Sequence, residues 1–110
     1  MIVVVIVIQA YSLKRGFSLD IERVKNVFAE CFDGVEPENI DGRFLAGFGA
    51  MESISFWFEG KKLLVETVSN TNATDEEIID TNRRFRNFLE NATGYTAKQR
   101  RTMAKKGVSK

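Results

Sequence analysis

The chain contains no histidine. That removes the side chain whose ordinary titration falls nearest neutral pH, the base of most catalytic triads and the commonest metal ligand. Cysteine occurs once, as Cys31. A lone thiol excludes an internal disulfide and any paired-cysteine zinc or redox motif, and it favours a reducing, cytoplasmic setting. Proline also occurs once, at Pro37. The apolar run at residues 1–8, MIVVVIVI, is far shorter than the roughly 20 residues needed to span a bilayer. No basic residue precedes it and no small-residue cleavage site follows, so no signal peptide is expected. The two Asn-x-Thr tripeptides, at 72–74 and 91–93, therefore read as chance rather than as glycosylation sites. No phosphate-binding Gly-Lys-Ser/Thr loop is present. Gly47-Phe48-Gly49 lacks the third glycine of a dinucleotide fingerprint and reads as a turn or bulge.

What is present suits a globular protein. The 110 residues are 44% hydrophobic and include nine phenylalanines, enough for one domain with a core that needs neither metal nor disulfide. We expect one domain over 1–106, followed by a disordered tail, 107–110. The net charge of +1 is unevenly placed: residues 95–110 carry six Lys or Arg and no acid. A mildly acidic body thus bears a basic C-terminal segment.

The strongest structural signal is ISFWFEGKKLLVET, residues 54–67. Gly60-Lys61 suits a two-residue turn, because glycine accepts a positive φ. The turn would pair Phe58 with Leu63, Phe56 with Val65 and Ile54 with Thr67, all on one face. Burying the five large apolar side chains of that face contributes about 1.5–3 kcal/mol each, roughly 8–15 kcal/mol before entropy. The opposite face is polar except for a Trp57–Leu64 cross-strand pair.

Around this hairpin the other elements follow from local pattern. The β-branched start predicts a strand over 2–14. So uncharged a strand would aggregate at an open edge, so it is expected to be paired on both sides or covered by a partner chain. Ser18 is the expected cap of a helix over 18–32, with Ile21, Val24, Val27, Phe28, Cys31 and Phe32 on its apolar stripe. Cys31 reads as a structural thiol. Residues 35–42 read as a loop holding an Asp41-Gly42 turn, and 43–48 as a strand. Thr74 and Glu77 form a capping box that opens a helix over 74–92, stopped by Gly94. Its stripe contains Ile78, Phe85, Phe88, Leu89 and Ala92, together with Asn82, which there needs a structural hydrogen bond. Thr96 and Gln99 repeat the capping pattern ahead of a short helix over 96–106.

These elements define an α+β two-layer sandwich. A mainly antiparallel sheet of about four strands (2–14, 43–48, 53–59, 62–69) carries its helices on one face.

Candidate sites are few. Asp75, Glu76, Glu77 and Asp80 sit where carboxylates complement a helix dipole and need no cation. No catalytic residue, metal site or cofactor is expected. The basic residues Arg83, Arg84, Arg86, Lys98, Arg100, Arg101, Lys105 and Lys106 form a candidate phosphate- or nucleic-acid-binding set. Trp57 and Leu64 form a candidate interface.

The segments YSLKRGF (11–17), GKKLLVET (60–67) and DTNRRFRNFLENATGYTAKQRR (80–101) resemble a small uncharacterised archaeal family. The similarity covers residues 11–104, most specifically NRRFRNFLENATGYTAK at 82–98. It implies an archaeal cytoplasmic protein of unassigned activity and transfers no site residues. Residues 1–8 depart from the family's start near Tyr11, as an extension of the first strand or an upstream start.

The leading functional expectation is a non-enzymatic interaction module that self-associates through its sheet surface or apolar first strand. RNA or ribonucleoprotein binding through the basic C-terminal segment is the alternative. An enzyme using carboxylates or lysine ranks third.

Overall fold

The computed structural model describes residues 4–17, 19–70 and 72–108. The element order is β1 (Val4–Ser12), α1 (Ile21–Cys31), β2 (Glu38–Ile40), β3 (Arg43–Phe48), β4 (Met51–Glu59), β5 (Lys62–Asn70), α2 (Asp75–Thr93) and α3 (Ala97–Val108). The strands form one antiparallel sheet in the order β1-β5-β4-β3-β2.

The central hairpin has the expected register: Phe58 opposite Leu63, Phe56 opposite Val65, Ile54 opposite Thr67 and Trp57 opposite Leu64. Gly60 takes a φ of 62° while Lys61 keeps a negative one. That is the pattern of a type II′ turn, whose twist matches the flanking strands. On the inner face Ile54, Phe56, Leu63 and Val65 are buried under α1 and α2. Phe56 is the hub, with ring centroids 5.5 Å from Phe28 of α1, 5.6 Å from Phe44 of β3 and 5.4 Å from Phe88 of α2. Such tilted and offset ring pairs add to the area buried.

The termini of α2 follow the local code. Thr74 accepts the Glu77 amide at 3.2 Å while Glu77 accepts the Thr74 amide at 3.2 Å. Gly94 closes the helix in the left-handed conformation. Its last carbonyls are satisfied from outside: Lys14 N–H donates to Thr93 at 2.7 Å, and the Arg23 guanidinium donates to Ala92 at 2.8 Å. Lys14 is thereby drawn out of the sheet, so β1 ends at Ser12 rather than at 14.

Several expectations need correction. A fifth strand, β2, lies within the stretch read as a loop, paired to β3 across Asp41-Gly42. Both turn residues take positive φ, 53° and 88°, as a type I′ hairpin requires. The α1 helix starts at Ile21, and its cap is Asp20, whose carboxylate accepts the Glu22 amide at 3.0 Å. Ser18 lies outside the described residues. Asn82 is exposed, and the buried polar residue beside it is Thr81, 1% exposed. The stripe Ile78, Phe85, Phe88, Ala92 accommodates either position by spacing, and the fold turns Thr81 inward. The last helix runs to Val108, two residues beyond the expected end.

The largest difference concerns β1. Among the described residues it is paired with β5 alone and forms an edge of the sheet. The apolar strand is not paired on both sides within the chain.

Candidate functional site

Two features stand out: a cationic groove beside the C-terminal half of β1, and the open edge along its N-terminal half.

The groove encloses about 500 Å³ between β1, α2 and α3. The alternation of β1 turns Gln9 and Tyr11 to the helix side, opposite Val65 and Leu63 of β5. From α2 come Phe85 and Leu89, one turn apart, with Arg86 beside them, and from the last helix Ala97, Arg100 and Arg101. Tyr95, in the link between the two helices, and Lys62, at the start of β5, complete the wall. Lys62 Nζ lies 3.2 Å from Ser12 Oγ. Among the described residues four cations therefore line the groove, and no carboxylate does.

Two groups in the groove are perturbed. Burial raises the Tyr11 phenol above its ordinary value, with nearby Arg100 acting in the opposite direction. Tyr11 donates to the Gln9 amide oxygen. Burial likewise lowers Arg100, opposed by Tyr11 and by Glu90. The Arg100 guanidinium donates to the Tyr95 carbonyl. Among the described residues no carboxylate makes a salt bridge with Arg86, Arg100 or Arg101. Arg86 and Arg101, without a carboxylate partner among the described residues, stand beside an apolar floor, an arrangement that suits an anion with an apolar body.

The structure separates the basic residues that the sequence groups together. Arg86, Arg100 and Arg101 converge in the groove. Arg83 and Arg84 both bind Asp80, at 2.7 and 3.0 Å. Arg84 also donates to the Cys31 carbonyl at 3.2 Å and lies 5.2 Å from the Phe48 ring centre, so it joins α2 to α1 and β3. Lys98 lines an adjoining hollow with Gln99, Thr102 and Tyr95, the last of which also lines the groove. The side chains of Lys105 and Lys106 lie outside the described ones. Lys62, Tyr11 and Tyr95 were not legible as site residues, because their meeting depends on β1 lying beside β5. Among the described residues no group of three or more acidic or cysteine side chains could hold a metal ion.

The Trp57–Leu64 pair lies on the outer sheet face, half-buried. The Arg43 guanidinium stacks 3.9 Å above the Trp57 ring centre, so this ring already has a partner within the chain. Cys31 is half-buried, accepts a 3.7 Å contact from the Asn91 amide, and is raised above its ordinary value chiefly by burial. A raised thiol is a weak nucleophile at neutral pH, in keeping with a structural role.

The N-terminal half of β1 presents the second feature. Ile6 is 62% and Ile8 57% exposed, and Val7 is also exposed. The strand carries no proline and no charge, and its register with β5 is unbroken from Val4 to Ser12. The opposite edge, β2, is only three residues long and bears Glu38. Short charged edges resist pairing; long, flat, uncharged ones invite it.

Fold and groove together define a small α+β protein with helices on one face of an antiparallel sheet, a groove lined by arginines and one long, uncharged sheet edge. The chain belongs to the family described as a domain of unknown function (DUF5611), which matches residues 8–106. Neither a curated protein nor a solved structure matches the chain significantly. Residues Val4–Val7 precede the matched region and continue β1. No helix among the described residues is long and apolar enough to cross a membrane.

Proposed function

We propose that the protein is a non-enzymatic cytoplasmic interaction module that associates with a second copy of itself through the free edge of β1. The observation that carries this reading is the position of an uncharged, unbulged nine-residue strand, apolar from Val4 to Ile8, at the sheet edge, with Ile6 and Ile8 more than half exposed. An antiparallel pairing about a two-fold axis requires only that a strand be compatible with itself. Val4–Ile8 meets that condition. Residues 9–12 flank the groove, so the pairing centres on Ile6, with Ile6 opposite its symmetry mate and Val4 opposite Ile8. The two sheets then continue into one sheet of ten strands. The Trp57–Leu64 pair remains on the outer face and is not needed for the contact, since Arg43 already covers Trp57.

Light scattering over a range of concentrations tests the proposal. The wild type should be dimeric, and Ile6→Lys should be monomeric with an unchanged far-ultraviolet spectrum. The substitution places like charges opposite each other across the axis, and edge lysines are a common guard against such pairing. A wild type that remains monomeric at high concentration contradicts it.

A further inference from the structure

We infer that the groove between β1, α2 and α3 is a binding site for a single nucleoside phosphate. The groove lies within one chain, so the inference does not depend on association. Three observations lead to it.

First, the charge is one-sided. Arg86, Arg100 and Arg101 face one space of about 500 Å³ with no carboxylate in its lining among the described residues. Arg83 and Arg84, only a few residues away, are both held by Asp80. The Arg86 and Arg101 guanidinium groups are thus available to a ligand, while Arg100 is held to the Tyr95 carbonyl, and planar guanidinium forks match phosphate oxygens. Second, the floor is apolar and aromatic, with Tyr11, Tyr95 and Phe85 among its lining. Bare phosphate has no use for that surface, whereas a base does, since aromatic rings accept stacked bases irrespective of sequence. The volume falls within the range of small-ligand pockets. Third, the cations do not form a track. Lys98 lies beyond Tyr95 in an adjoining hollow that has no second cation among its described lining residues, and Arg83 and Arg84 are engaged by Asp80. A long single strand needs a continuous basic path along its backbone; a single nucleotide needs one cluster.

Titration calorimetry provides the test, with AMP, GMP, UMP and CMP, inorganic phosphate and a five-nucleotide RNA as separate probes. The mononucleotides should bind, with inorganic phosphate at least roughly tenfold weaker because it leaves the apolar floor unused. Arg86→Gln and Arg101→Gln should each weaken nucleotide binding by roughly tenfold or more, as expected for loss of a charge-assisted hydrogen bond. Both positions are exposed, and an unchanged thermal unfolding midpoint would show that folding is intact. Ile6→Lys should bind like the wild type, which separates this inference from self-association. Three results would overturn it: no binding of any probe at millimolar concentration, phosphate binding as tightly as the nucleotides, or RNA binding that far exceeds them and weakens on Lys98→Gln.

Discussion

Thr81 and Ala50 are the residues through which α2 is fastened to the sheet by a polar contact. The Thr81 hydroxyl oxygen accepts the Ala50 amide at 3.0 Å, buried beneath the turn that joins β3 to β4. Gly49 makes the approach possible. Its φ is 52°, and a Cβ at that position would come within 2.3 Å of the Thr81 oxygen. The helix therefore reads the turn directly, and the turn needs glycine for two independent reasons.

Replacing the hydroxyl tests this fastening. Thr81→Val keeps the shape and leaves the buried Ala50 amide without a partner, which costs about 1–3 kcal/mol. Thr81→Ser keeps the oxygen and should lose less. Urea unfolding of both variants would show the valine midpoint well below that of the serine. Equal midpoints would mean that the contact contributes packing rather than a hydrogen bond.

Asp80 supplies a pH-dependent prediction. Hydrogen bonds from Arg84 first and Arg83 second hold its carboxyl below the ordinary value. A carboxyl depressed in the folded state contributes stability above its unfolded value of about 3.9, and that contribution disappears as pH falls through the lower folded value. Asp80→Asn should therefore lower the melting temperature slightly at neutral pH, since a solvent-screened ion pair contributes little. The difference from wild type should shrink as pH drops below the ordinary carboxylate range. Melting curves from pH 7 to pH 2 would show this convergence; a gap that widens in acid would contradict it.

Much of the fold was legible because its signals are local. Gly60 set the register that placed Phe56 opposite Val65, and Thr74, Glu77 and Gly94 marked the two ends of α2 by side-chain and backbone chemistry alone. Asp41-Gly42 carried the signal for the β2–β3 hairpin, yet a three-residue strand, Glu38–Ile40, shows no alternation to confirm it. Thr81 and Asn82 could not be separated by helical spacing, since one degree of freedom, the roll of α2 over the sheet, decides between them. The groove was legible only in part. Its arginines stood out as a basic segment, while Ser12 and Lys62 lie 50 positions apart and meet because strand order puts β1 beside β5. Strand order is set by the whole core and leaves little local trace.

Hydrogen exchange across Val4–Ile8 is the most direct measurement of the open edge, because a paired strand protects amides that a bare edge leaves to water. Self-association predicts that this segment exchanges more slowly in the wild type than in Ile6→Lys at the same concentration, after allowance for intrinsic rates, while α2 exchanges alike in both. Equal exchange of the segment in the two proteins would show that β1 meets only solvent on its free side.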